Sequence, residues 1–463
     1  MESRVPLLVL VLLSAAQVAF SGQLVEYLPG YPGKLPFKLE TGYIRVDDAE
    51  FFYYFIESQG NPREDPLFLW LTGGPGCSSF NGLVFELGPF EFDVESYEGG
   101  LPTFKPYEHA WTKTASMLFL DSPVGTGFSY SLTSEGWPSS DSKSARQAYE
   151  FFMKWLVENP QYLALQTFVG GDSYSGIIVP QITKLIVEGN EANVNPIVNL
   201  KGYLLGSPTT DEFINGNSKF IFAHRMGLIS DEIYEKAKVA CNENYLAVDP
   251  SNTECVLALE QSQKCINDVW RNDILEPNCV FASSRPHETL YRRSLKDQTS
   301  SFLLSPPKIP TLWCRNFNYA LADAWANDEQ VQEALHVRQG TVHEWIRCNL
   351  TISYVDDVQS VIDVHRYLMT KNLLVLVNNG DRDMVVPYVA TAEWIKLLNM
   401  TIEVDWHPWF VDGQVAGYTR SYVENGAYRL TYATVKGAGH TAPEYYRREC
   451  YEMFNRWVHW YPL

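Results

Sequence analysis

The chain has 463 residues, 46% hydrophobic and 14% aromatic, ample for a packed core and incompatible with global disorder. Its 55 acidic and 36 basic side chains give a formal charge of −19. A surface that acidic repels phosphate backbones and anionic lipid heads, so neither a nucleic acid nor a membrane surface is expected as partner.

The N-terminus, MESRVPLLVLVLLSAAQVAFSG, sets Arg4 before an apolar run from Val5 to Phe20, with small Ala19 and Ser21 ahead of Gly22. This predicts a signal peptide over residues 1–21, cut before Gly22, and entry into the secretory pathway. The run is too short and too interrupted by Ser14 and Gln17 for a membrane span. Ala49–Glu57 (AEFFYYFIE) then reads as an aromatic-rich strand. Leu67–Leu71 (LFLWL) and Met117–Leu120 (MLFL) are unbroken apolar runs, the pattern of strands buried on both faces. Asp141 is a candidate cap for a helix running through SKSARQAYEFFMKWLVE, with Ala145, Ala148, Tyr149, Phe152 and Leu156 on one face and Pro160 beyond its end. The strand TFVGG and a helix after Ser173 follow, with Ile178, Ile182, Leu185 and Ile186 on its stripe.

From 212 to 318 the texture changes: five of the eight cysteines lie there, and its end is rich in Ser, Pro and Lys/Arg. We read this region as a cap and linker inserted within a single domain of residues 22–463, with an exposed, protease-sensitive stretch at Arg292–Arg293. Buried-strand texture returns at Asn372–Val377 (NLLVLV) and Tyr428–Val435 (YRLTYATV). The expected fold is α/β, with a mostly parallel central sheet covered by helices on both faces. An even cysteine count in a secreted chain favours disulfides, and no C-x-x-C or H-x-x-x-H pair suggests a metal site. Asn349-Leu-Thr351 and Asn399-Met-Thr401 are glycosylation sequons.

The stretch FVGGDSYSG places Ser173 between a strand and a helix, with small Gly171 and Ser175 two residues to either side. That is the steric requirement of a nucleophile elbow, although Ser175 departs from G-x-S-x-G. A serine hydroxyl needs a base. His440 in KGAGH follows the strand YRLTYATV, in a glycine-flanked loop expected to be mobile and able to present an imidazole. NNGDRDMVVP, after NLLVLV, offers Asp381 and Asp383 to orient it. The chain order Ser, Asp, His, each past a strand's C-terminal end, is that of the α/β-hydrolases. TGGPGCSS after LFLWL supplies a glycine turn for an oxyanion hole, with the Tyr174 N–H as second donor.

The blocks WLTGGPGCSS, GDSYSG, NGDRDMVVP and VKGAGHTAP resemble those of the serine carboxypeptidase family, and FELGPF, DSPVGTGFSY and AHRMGLISDE extend the similarity. The resemblance implies Ser173, Asp383 and His440 as triad and the N–H groups of Gly74 and Tyr174 as oxyanion hole. It also implies disulfides Cys77–Cys348, Cys241–Cys255 and Cys279–Cys314, leaving Cys265 and Cys450 unpaired or joined to each other. No cofactor or metal enters such chemistry. Peptidases of the family read W-x-N-G-G-P-G and G-E-S-Y-A-G, the Asn and Glu binding the peptide's terminal carboxylate. Here Thr72 and Asp172 stand at those positions, beside Gly73, and Ser175 replaces Ala.

With Thr72 and GDSYSG the sequence resembles plant serine carboxypeptidase-like acyltransferases, which take an acyl group from a 1-O-acyl-β-glucose ester and pass it to an acceptor hydroxyl. The expected partners are therefore a small-molecule acyl donor and acceptor, with an aromatic acyl group suited to a chain holding 13 Trp and 27 Tyr. The alternatives are a carboxypeptidase acting at acid pH and an inactive companion of an active paralogue. Glu86, in FELGPF, is expected to lie close to Asp172 and share a proton with it, which suits an acidic compartment such as a vacuole, or the extracellular space. The resemblance also implies a monomer or a nicked two-chain form.

Overall fold

The computed structural model describes residues 22–278 and 315–463. The predicted signal peptide, the pair Cys279–Cys314 and the Arg292–Arg293 stretch lie outside the described residues.

Eleven strands follow one another across a sheet: β1 (Gly22–Tyr27), β2 (Lys34–Val46), β3 (Ala49–Ile56), β4 (Leu67–Leu71), β5 (Ser116–Leu120), β6 (Thr167–Asp172), β7 (Leu200–Gly206), β8 (Leu374–Gly380), β9 (Thr401–Val411), β10 (Gln414–Glu424) and β11 (Tyr428–Val435). Their spatial order is β1-β2-β3-β5-β4-β6-β7-β8-β11-β10-β9, and the short strand Tyr130–Ser131 pairs with β3 off this path. The six central strands, β5 through β11 in that order, are mutually parallel. Antiparallel strands extend the sheet at either edge.

The apolar runs explain the centre. In β4, Leu67, Leu69 and Leu71 point into one core, while Phe68 and Trp70 point into the other. In β5, Leu118 and Leu120 join the first, Met117 and Phe119 the second. A strand with helices on both faces has no polar side to present, which is why these segments read as continuous runs. Helices α1 (Asp141–Glu158) and α2 (Ser175–Glu191) cover one face through Ala148, Phe152, Trp155, Ile182 and Ile186. Helices Arg315–Ala326 and Arg447–Val458 cover the other through Trp325, Phe454 and Trp457.

The cap of α1 differs from expectation. Ser140 accepts from the Lys143 N–H as N-cap, and Asp141 opens the helix itself. The Asp141 carboxylate is spent on tertiary bonds instead, from Tyr174 Oη at 2.8 Å, Tyr354 Oη at 2.9 Å and the Val358 N–H at 2.9 Å.

Between β7 and β8 the chain leaves the sheet. Helices α3 (Glu212–Arg225), α4 (Asp231–Cys241) and α5 (Thr253–Ile266) build a separate apolar cluster around Phe220, Phe222 and Ala258, with Met384 and Val389. Cys241–Cys255 staples α4 to α5, and Cys77–Cys348 ties the loop after β4 to a distant segment. Cys265 and Cys450 are both free, the first exposed and the second buried, so they do not bond to each other. No helix among the described residues is long and apolar enough to cross a membrane.

Phe168 in β6 stacks on Phe68 of β4 at 4.8 Å between ring centroids, both fully buried. Phe168→Ala should lower unfolding free energy by about 3–5 kcal/mol. Val157→Ala, at a 64% exposed site of α1, should stay within about 0.5 kcal/mol. Denaturant midpoints of the two variants check this, and similar midpoints would show that the stacked pair carries no special share of the core.

Candidate active site

Four loops converge at the C-terminal ends of the parallel strands: those after β4, β6, β8 and β11. Ser173 sits directly past β6 with φ of +55°, a left-handed conformation that a non-glycine residue adopts only when its surroundings impose it. What imposes it is crowding. A Cβ on Gly171 would lie 2.7 Å from the Ser175 Cβ and 2.6 Å from the Leu71 carbonyl oxygen; one on Gly73 would lie 2.6 Å from the Ser173 Cβ. The Ser173 N–H donates to Gly206 O at 2.8 Å, and its carbonyl accepts from the Thr209 N–H at 3.0 Å. The backbone is held on both sides while Oγ stays presented.

The structure brings the three predicted residues together. Ser173 Oγ is 2.7 Å from His440 Nε2, and His440 Nδ1 is 2.8 Å from Asp383 Oδ2. The other Asp383 oxygen accepts from the N–H groups of Val385 at 2.7 Å and Val386 at 3.1 Å, so the carboxylate is fixed in orientation. Asp381 is placed differently: its carboxylate accepts from the Gly437 N–H at 2.7 Å and pairs with Lys436, bracing the histidine loop without touching the ring. That loop is packed rather than loose. A Cβ on Gly439 would strike Asn272 O at 2.3 Å and the Tyr445 ring at 2.5 Å, so glycine is there for close approach.

Burial pushes the His440 pKa down, but the Asp383 charge and hydrogen bond, with the Asp172 charge, outweigh it and raise the value above that of an ordinary histidine. Lys219 acts in the opposite direction.

The Gly73 N–H is committed to Asp172 Oδ1 at 3.1 Å. The N–H groups of Gly74 and Tyr174 donate to no acceptor among the described residues. The loop carrying Gly74 is anchored by Cys77–Cys348 and by bonds from Ser78 N–H to Arg347 O and from Asn349 N–H to Gly76 O, each 2.8 Å. It is anchored a second time by Asp121, a buried carboxylate just past β5 that accepts from Ser78 Oγ, the Ser79 N–H and the Phe128 N–H.

Thr72, Asp172 and Glu86 form the polar floor beside the serine. Glu86 lies on a π-helical turn, Gly82–Leu87, and a Cβ on Gly82 would be 3.3 Å from Thr72 Oγ1, so this turn packs directly over Thr72. Thr72 Oγ1 and Glu86 Oε2 are buried without a hydrogen-bond partner among the described residues. Burial first, then the charges of Asp172 and Glu444, push the Glu86 carboxyl well above the usual range, while Arg447 and Arg347 pull it part of the way back. Burial pushes Asp172 to about 6, against the pull of His440 and the Gly73 N–H. The expected sharing of a proton between Glu86 and Asp172 is not seen: no hydrogen bond joins them, and they act on each other only through charge. Of the sequons, Asn399 is exposed, whereas Asn349 Nδ2 donates to Gly125 O at 3.0 Å.

Two parts of this site left no local pattern in the sequence. Tyr174 Oη reaches Asp141, 33 residues away in the chain. Residues Arg271–Ile274 lie against the loops of Asp383 and His440, bonded through Asn272 O and Arg271 O. Neither contact leaves a local pattern.

Sheet order places this candidate site at the strand C-terminal ends of an α/β-hydrolase fold. The family model for serine carboxypeptidase matches residues 29–460, and the chain belongs to that family. It is 44% identical to serine carboxypeptidase-like 17 of Arabidopsis thaliana over 98% of this chain and 96% of that one. Its identity to serine carboxypeptidase-like 2 of the same plant is 43%, over 100% and 98%. Among solved structures it resembles KEX1(Δ)P, a prohormone-processing carboxypeptidase from Saccharomyces cerevisiae, with a TM-score of 0.68, 19% identity and coverage of 90% of this chain and 91% of that one, a likeness of fold.

Asp172 is 4% exposed and its folded-state pKa exceeds the ordinary 3.8. Folding therefore favours its protonated form. The stabilisation is complete below about pH 4 and is lost as pH rises through about 6, on the order of 3 kcal/mol in all. Asp172→Asn keeps the acceptor for Gly73 and should lack that decline. Denaturant midpoints between pH 4 and 8 check it; parallel profiles for the two proteins would assign the pH dependence to other groups.

Proposed function

We propose that this chain is a serine acyltransferase with Ser173 as nucleophile, His440 as general base and acid, and Asp383 holding the imidazole. The observation that carries the acyl-serine chemistry is the continuous chain of two bonds, Ser173 Oγ–His440 Nε2 at 2.7 Å and His440 Nδ1–Asp383 Oδ2 at 2.8 Å. Oγ attacks the acyl carbonyl while Nε2 takes its proton. The two uncommitted N–H groups of Gly74 and Tyr174 receive the developing oxyanion, each worth about 3 kcal/mol of transition-state stabilisation. His440 then returns the proton to the departing glucosyl oxygen, leaving an acyl-serine. An acceptor hydroxyl gives its proton to Nε2 and attacks the acyl carbon; the bond to Ser173 Oγ breaks, and His440 returns the proton to Oγ. An intact set of bonds speaks against the inactive-companion reading.

The preference for transfer over peptide cleavage rests on the floor of the site. Asparagine and glutamate at the positions of Thr72 and Asp172 would reach a substrate carboxylate with amide donors and a longer acid. Thr72 offers one short hydroxyl, and the shorter Asp172 has an oxygen committed to Gly73. A substrate carboxylate left half-bonded in a buried site loses a few kcal/mol. We assign the space to the acyl donor, with an aromatic acyl group. The carboxypeptidase reading keeps one observation in its favour: Thr72 Oγ1 and Glu86 Oε2 remain unpartnered, as a site awaiting a polar ligand would leave them. The secretory route and an acidic or extracellular destination remain part of this proposal, supported by two disulfides.

Two experiments test the reading. Ser173→Ala should abolish turnover with the fold intact, and a serine-directed phosphonate should label Ser173 in the wild type. Label on another residue would refute the nucleophile. For specificity, Thr72→Asn with Asp172→Glu should raise kcat/KM for a blocked dipeptide and lower transfer from an acylglucose, about ten-fold or more each. The double variant should exceed the product of the single effects, since both side chains would grip the same carboxylate. A wild type that cleaves the dipeptide efficiently and ignores a panel of acylglucoses would replace this reading with the carboxypeptidase one.

A further inference from the structure

The loops of Asp383 and His440 follow neighbouring strands, β8 and β11, but the two strands alone do not fix them. A third segment lies against both. The His440 N–H donates to Asn272 O at 2.7 Å, the Met384 N–H donates to Arg271 O at 2.9 Å, and the Ile274 N–H donates to Arg382 O at 3.2 Å. Residues 271–274 thus bond to the backbone of the histidine itself and to the residues on either side of the aspartate. Asp273, 2% exposed, turns its own carboxylate onto the Leu275 N–H at 2.9 Å, shaping the segment locally.

This segment follows α5 and is distant in sequence from both loops, so something must hold it in place. At its end Glu276 forms a two-pronged ion pair with Arg315: Oε1 to Nη2 at 2.6 Å and Oε2 to Nε at 3.0 Å, with side-chain exposures of 18% and 10%. Arg315 Nη1 donates to Glu444 O at 3.0 Å, and its guanidinium stacks on the Tyr445 ring at 3.8 Å. Glu444 is four residues past His440 and is itself fixed by Thr441 Oγ1 at 2.8 Å and Tyr319 Oη at 2.7 Å. The arginine therefore links the far end of the segment to the stretch that leaves the histidine.

We propose that Arg315 and Glu276 are positioning residues for the acyl-transfer step: their ion pair holds residues 271–276 against the Asp383 and His440 loops and keeps the imidazole aligned between Asp383 and Ser173. Neither side chain touches the reacting atoms; they act through Asn272 O on His440 and Arg271 O on Met384. The planar fork of arginine suits a carboxylate on one edge and a carbonyl on the other, a geometry lysine cannot reproduce. The proposal rests on the acyl-serine reading above.

The test uses the full chain and a small activated ester, which needs little of the specificity floor. Phosphonate titration counts competent serines, so kcat is expressed per labelled site. Glu276→Gln and Arg315→Gln should lower kcat about ten-fold or more with KM nearly unchanged, since an ångström of misplacement is enough for such losses. Arg315→Lys should restore part of the rate. The acid limb of kcat/KM should move to lower pH in the Gln variants, because a His440 less well held by Asp383 loses the partner that raises it, with Asp172 and Lys219 unchanged around it. A purely structural ion pair would lower the thermal midpoint and leave kcat per site and the acid limb at wild-type values, and that result would overturn the proposal. If Arg315→Gln does not fold, Glu276→Gln and Arg315→Lys decide by the same two readouts. A wild type that turns over the ester without label at Ser173 would instead strike the nucleophile assignment, so the two failures are told apart.

Discussion

The corner at Ser173 allows so little space that much of the site follows from it. Strand β6, helix α2 and the loop after β4 meet where Gly171 and Gly73 have no room for a Cβ. With the strand and helix pressed together, Ser173 is forced to a positive φ, and Oγ projects away from both toward His440. The same contact brings the Gly73–Gly74 turn over the Tyr174 N–H, since a Cβ on Gly73 would lie 2.8 Å from that nitrogen. The exposure of Ser173 Oγ and the proposed oxyanion hole are thus two consequences of one steric fact. The strain at Ser173 is sustained because β4 and β7, paired to Gly171 through Leu71 and Leu205, are buried and cannot give way.

Around that corner the molecule buries an unusual number of carboxyl groups. Asp121, Asp172, Glu86 and Asp383 are all under 5% exposed. Two solutions to the burial penalty are visible. Asp383 and Asp121 are surrounded by N–H and O–H donors, which suits an ionised group, although burial still lifts Asp121 to about 6. Glu86 has an oxygen with no partner among the described residues, and burial beside Asp172 and Glu444 favours its proton. The first arrangement fixes architecture. The second leaves hydrogen-bonding capacity unspent beside the nucleophile, where a substrate can use it.

The sequence carried the sheet well for a physical reason. LFLWL and MLFL are strands whose two faces are both buried, so every residue had to be apolar and the run stands out. The Ser–Asp–His order was legible because each residue must follow a strand, and strands can be found. Choosing between Asp381 and Asp383 from spacing alone was not possible, because two residues on the same short loop differ only in which way their side chains turn; one meets the Gly437 N–H and the other the imidazole. The Asp141 carboxylate was mistaken for a cap because cap preference is local, whereas its partners Tyr174 and Tyr354 come from elsewhere in the chain. Residues 271–276 and Arg315 were invisible for the same reason. Their role depends on backbone oxygens meeting loops more than a hundred residues away, and backbone atoms leave no trace in composition.

The floor of the site and the imidazole are electrostatically coupled. Asp172 raises the His440 pKa, and His440 in turn pulls Asp172 down, so each charge supports the other. Where pH falls below about 6, Asp172 takes up its proton and withdraws its part of that support, leaving Asp383 as the group that raises the imidazole. Protonation of the floor also removes a negative charge beside Ser173 as the medium becomes more acidic. The short aspartate therefore does more than weaken a carboxylate clamp. It places a proton-binding group where one titration changes both the charge beside Ser173 and the support given to His440.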